Sequence, residues 1–168
     1  YCIQWMRPKP KKNGYIYEFR SVSPQDLERE QIVESFLAEH FAQWQERGWL
    51  PDMRIEPGEK TAEPIRTRGW THWHHLFAPR QLLFLGLANR YIHECGGEYQ
   101  APLLVFLARL CDWSSKLCRY GTGAARESVA QTFYNQALNT LFSYAVRSFT
   151  FAKTYLLEDL VHSPITSN

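Results

Sequence analysis

The stretch "APRQLLFLGLANRYIHECGG", residues 78–97, decides the fold. Leu82, Leu83, Phe84, Leu85, Leu87, Ala88, Tyr91 and Ile92 leave it almost no polar face. Pro79 suits a first helical position, where a missing N–H is not needed, and Gly96-Gly97 ends the run. A helix that is apolar all round belongs inside a protein rather than on its surface. The stretch therefore predicts a central buried helix over about Pro79 to Cys95, with the rest of the chain packed around it.

Working outward, "SPQDLEREQIVESFLAEHFAQWQERG" (23–48) carries helix signals at both ends. Ser23 is a good N-cap, Pro24 fits the first turn, Asp26 lies three beyond the cap and Gly48 closes the segment. Val33, Phe36, Leu37, Phe41 and Trp44 recur at helical spacing on one side. Residues 1–22 read instead as a β-hairpin: "YCIQWM" and "YIYEFRSV" are β-branched and aromatic, and Asn13-Gly14 between them favours a tight turn. Residues 49–78 have no periodicity and form a long connector, a length that is uncommon unless it packs or acts. Beyond the central helix, a Leu- and Phe-rich helix is expected from about Tyr99 to Tyr120. "YGTGAA" (120–125) reads as a helix-breaking connector, and another helix is expected to resume near Arg126. The expected fold is one mainly α, bundle-like domain with an N-terminal hairpin and a helical core over 79–168.

Bulk composition narrows the function classes. With 45% hydrophobic and 15% aromatic residues in 168, the chain can fill a core. A net charge of +2 provides no global basic field, so nucleic-acid binding would need a local patch. Cys2, Cys95, Cys111 and Cys118 make no Cys-x-x-Cys pair, which speaks against a zinc ribbon or redox dithiol in this span. Two of them fall on apolar helical stretches, so reduced thiols in a cytoplasmic protein are expected. No apolar run reaches membrane-spanning length. Lacking a starting Met, the chain reads as a piece of a longer protein.

The chemistry-bearing candidates lie just ahead of the central helix, in "RGWTHWHHLFAPRQLL" (68–83). His72, His74 and His75 raise the question of a metal, but no Asp, Glu or Cys stands nearby in sequence to complete the shell, so no metal is expected. No nucleophile-elbow motif occurs. A helix start with free amides beside Arg66, Arg68 and Arg80 suits a phosphate. Trp70 and Trp73 could stack on bases or lock the connector down, and Arg80 and Gln81 could instead bond the connector backbone. Lys11 and Lys12, at the hairpin tip, are either solvated or phosphate-touching.

The same string, "WTHWHHLFAPRQLL", resembles the W..LF..RQL signature of large bacterial and archaeal adenine-specific DNA methylases that contain a zinc ribbon. "EFRSVSPQDLERE" (18–30) is similar to the family's aromatic-Arg strand leading into an acidic helix. "SSKLCRY" and "ESVAQTFYNQAL" (114–120 and 127–138) are similar to its Ser-Ser-x-Leu-Cys segment and the helix that follows. The likeness runs from about Tyr15 to Tyr144. Two features depart from the pattern: Ala78 stands where a capping Asn or Thr is expected, and "AVRSFTF" (145–151) replaces an Asn-Pro-Phe ending; the family's cofactor and Asp-Pro-Pro-Tyr-type motifs lie outside this region, and neither occurs here.

The resemblance implies a noncatalytic, DNA-engaging insert of an AdoMet-dependent DNA adenine methyltransferase in a restriction or phage-defence setting. AdoMet and the catalytic methylase domain are then expected elsewhere in the parent chain, with DNA as the partner. Its expected DNA contacts are Arg66, Arg68, Trp70, Trp73, Arg80, Gln81, Lys11 and Lys12, with no catalytic or metal-binding residue. The alternative is a structural module that docks domains or a partner protein without touching DNA.

Overall fold

The computed structural model describes residues 2–8, 15–95, 97–118, 120–121 and 128–129, with side chains over 20–94 and 97–118. Strands β1 (Cys2–Pro8) and β2 (Tyr15–Ser21) pair antiparallel, in a register that sets Cys2 opposite Ser21 and Pro8 opposite Tyr15. The Asn13-Gly14 turn lies outside the described residues, as do Lys11 and Lys12.

Helix α1 (Pro24–Glu46) starts on a reciprocal cap. The Asp26 amide donates to Ser23 Oγ at 3.3 Å, while the Ser23 amide and hydroxyl donate to Asp26 Oδ2 at 3.0 and 2.7 Å. Two otherwise orphaned amides at the helix start are thus satisfied. At the other end Gly48 takes φ 70°, a left-handed turn that a side chain would strain. Trp49 and Leu50 then donate their amides to the Trp44 carbonyl, and both side chains turn inward.

The central helix, α3 (Pro79–Cys95), lies between α1 and α4 (Gln100–Trp113) and supplies both halves of the core. On one side Leu82 joins Leu37, Trp44, Trp49 and Leu50; on the other Leu85 joins Phe106 and Leu110. Phe77, just before α3, packs against both clusters. Gly86 lets α3 pack tightly on α1: a Cβ there would stand 2.6 Å from Trp44 Cζ3. The burial is not complete, since Leu87 and Tyr91 are exposed, so α3 keeps one open face despite its apolar sequence.

Three sequence expectations need correction. The connector is partly ordered into a short helix, α2 (Ala62–Arg68), and a 3-10 turn, Trp73–Leu76. The helix expected to reach Tyr120 stops at Trp113, where Ser114 leaves helical geometry at φ −129° and ψ 43°. Beyond it, β3 (Tyr120–Gly121) pairs antiparallel with β4 (Ser128–Val129), so the chain is extended at 128–129, within the helix expected from Arg126. The later part of that helix and the C-terminal tail lie outside the described residues.

Candidate functional site

The connector is held by its two ends. Arg54 and His72 form an antiparallel bridge, with Ile55 donating to the Thr71 carbonyl at 2.9 Å and Trp73 to the Met53 carbonyl at 3.1 Å. The chain between them goes out through α2 and returns at Gly69, whose φ of 66° makes the helix-ending turn. Return to the bridge delivers Thr71, His72, Trp73, His74 and His75 in quick succession, and the 3-10 turn gathers the three imidazoles. Their ring nitrogens offer one ligand atom each, all within 4.8 Å of one another. Sequence spacing alone offers only His72 and His74, two apart as on a strand; the third ring joins them because the bridge and the turn act together.

Each ring has its own backbone or hydroxyl partner. His74 Nδ1 lies 3.2 Å from the Pro51 carbonyl, which also accepts from Gln45 Nε2 at 2.9 Å. A carbonyl has no proton to give, so Nδ1 is the donor, and the 3.4 Å approach of Gln45 Nε2 to that ring is a packing contact between donors. His75 Nδ1 is the opposite case: it accepts the amides of Thr71 at 3.1 Å and His72 at 3.3 Å. His72 Nδ1 pairs with the Thr71 hydroxyl at 2.9 Å. Burial, the neighbouring imidazoles and Lys116 hold His74 and His75 below the ordinary histidine value, so both are neutral at pH 7.

Lys116 comes from the segment after α4 and ties it to this turn. Its amide donates to the Leu76 carbonyl at 2.7 Å and its ammonium to the His75 carbonyl at 3.0 Å. Burial lowers its affinity for a proton. The surrounding "SSKLC" loop is self-bonded. Leu117 donates to Ser115 Oγ at 3.1 Å, Ser115 donates to Cys118 Sγ at 3.3 Å, and that thiol donates to the Asp112 carbonyl at 3.3 Å. Two segments far apart in sequence are thereby joined in one place. Lys116 is the functional candidate that sequence reasoning missed, since nothing in a single chain reports that its segment docks here.

The other expected contacts divide clearly. Arg66 is exposed on α2. Arg68 is half-buried with its guanidinium 5.7 Å from the Trp70 ring centre, and Lys116 Nζ approaches that ring to 5.3 Å. Both distances suit cation–π attraction. Arg68 Nε is buried with no hydrogen-bond partner. Trp70 and Trp73 are both half-buried in the returning connector. Arg80 leaves this group and pairs with Glu30 of α1. Gln81 is 3% exposed and accepts the Ala78 amide through Oε1 at 2.7 Å. It makes one half of a capping box, covering the Ala78 amide, while the half that an N-cap side chain would make is missing at Ala78; this is an interior task.

Comparison with protein-family models, with curated proteins and with solved structures finds no match for this chain. Among the described residues no helix is long and apolar enough to cross a membrane. What the fold and site define is a mainly helical domain carrying a cationic and aromatic patch next to a histidine cluster.

Proposed function

We propose that this chain is a noncatalytic DNA-engaging domain of a cytoplasmic, AdoMet-dependent DNA adenine methyltransferase, acting in restriction or phage defence. Its catalytic partner and the AdoMet pocket lie elsewhere in the parent protein. An adenine enzyme must draw its base out of the duplex, and an accessory domain can hold the distorted strand meanwhile. The observation that carries this reading is the convergence of Arg68 and Lys116 on Trp70, with Arg66 exposed on the same helix as Arg68. No carboxylate among the described residues forms an ion pair with these three cations. Trp73 contributes aromatic surface to the same returning segment. The hairpin-tip Lys11 and Lys12 belong to the proposal on sequence grounds alone.

The test is salt-dependent binding of the chain to duplex DNA. Neutralising about three or four phosphates gives a slope near about −3 in log affinity against log salt. Arg66→Ala with Arg68→Ala flattens that slope by up to about two and leaves the fold intact. An unchanged slope in the double variant refutes the patch. Exposed Leu87 and Tyr91, one turn apart on α3, and exposed Leu104 and Val105 on α4 favour a second reading, a protein-docking module. Under that reading the chain binds no DNA at any salt concentration.

A further inference from the structure

We infer that His72 and His74 form a pincer for a late first-row divalent cation of the Zn²⁺, Ni²⁺ or Cu²⁺ class, with His75 as the positioning residue. The site adjoins the proposed DNA patch through Lys116, but its assignment does not depend on the DNA reading.

Ligand polarity supports the assignment. His74 donates Nδ1–H to the Pro51 carbonyl at 3.2 Å, which leaves the Nε2 lone pair free. Metal-binding histidines are commonly oriented in this way, by a carbonyl on the far nitrogen. His72 reaches the same state when its Nδ1–H donates to Thr71 Oγ1, 2.9 Å away, because a hydroxyl rotates to accept. The two rings are nearly parallel, 20° apart, with centres 5.3 Å from each other. Nitrogens bound at about 2.0–2.1 Å to a tetrahedral ion stand about 3.3 Å apart. One ring nitrogen from each histidine already lies within 4.8 Å of the others, and rotation of the two stacked rings aims their Nε2 lone pairs at one ion. The broad χ2 torsion of histidine permits such a turn. Neutral imidazoles suit these borderline ions, and the absence of carboxylates from the cluster disfavours Mg²⁺ and Ca²⁺.

His75 plays a different part. Its Nδ1 lone pair is engaged by the amides of Thr71 and His72, so its neutral ring carries the proton on Nε2. It fixes the backbone from which His72 and the Thr71 hydroxyl project. Lys116, hydrogen-bonded to the His75 carbonyl, places an opposing positive charge beside the site. Water completes the coordination.

The experiment titrates the chain, freed of any affinity tag, with Cu²⁺, Ni²⁺, Zn²⁺ and Mg²⁺. One ion binds per chain in the order Cu²⁺ over Ni²⁺ and Zn²⁺, and Mg²⁺ does not bind. His72→Gln with His74→Gln abolishes binding, while circular dichroism of the metal-free variant stays helical. His75→Ala weakens binding roughly 10- to 100-fold, and His75→Asn, whose carbonyl can accept the same amides, restores most of it. Lys116→Gln tightens binding roughly two- to fivefold. Electron paramagnetic resonance of the Cu²⁺-loaded wild type shows two imidazole nitrogens, a readout independent of variant folding. Absence of binding to the wild type, retention in the double glutamine variant, or a copper spectrum without imidazole nitrogen each overturns the assignment.

Discussion

Gly86 shows how far a single missing side chain can set the geometry of a fold. An added Cβ would meet Trp44 Cε3 at 2.7 Å and Leu50 Cδ2 at 3.1 Å, and both partners are already buried. An indole ring held among core neighbours has little room to retreat, so Gly86→Ala is an overpacking change even though alanine is the better helix former. The expected outcome is a loss of about 1–3 kcal/mol, read as a lower midpoint in urea with an unchanged slope. Gln81 is a second residue whose work is out of proportion to its size. By accepting the Ala78 amide it closes the start of α3 from inside. The sequence offset allowed that reach, but it equally allowed a contact with a ligand, and only burial separates the two.

At the scale of elements, legibility followed the local signals. The start of α1 could be read because Ser23, Pro24 and Asp26 act within one turn, and the cap forms as their spacing indicates. Ser23→Ala should lower stability by about 0.5–2 kcal/mol, measured by thermal or chemical unfolding. Asp26 is held below its ordinary value first by the Ser23 hydroxyl and amide. That support is present above pH 3.8 and is lost only as pH falls below it. The connector was harder to read. Short α2 has no amphipathic pattern to announce it, and the Arg54–His72 bridge pairs residues whose meeting no local rule requires. The early end of α4 was hidden for a related reason. "CDWSSKLC" reads as a weak continuation of the helix, yet Ser115 and Cys118 bond each other in a compact turn that the His75 and Leu76 carbonyls anchor through Lys116. Candidate site residues were legible as types, and their grouping was not.

For the molecule as a whole, the histidine cluster makes stability depend on pH near neutrality. His74 and His75 hold their protons less firmly when folded than when unfolded, chiefly through burial. Their contribution is therefore full above pH 6.5, the unfolded value, and falls away as acid drives the pH through their lower folded values. The melting temperature should hold above pH 6.5 and drop as the pH falls below it, and His74→Gln should remove part of that dependence. A melting temperature that stays flat below that value would show that the rings are as wet in the fold as in the unfolded chain. The docking of Lys116 has a further consequence, for motion. Its amide and ammonium close on consecutive carbonyls of the histidine turn. The end of α4 cannot open by itself: any fluctuation that frees Lys116 also unpairs the Leu76 carbonyl and strips the Trp70 ring of one of its two cations. Segments that sequence order keeps far apart thus breathe as a single unit, and the slowest amide among them sets the clock for all.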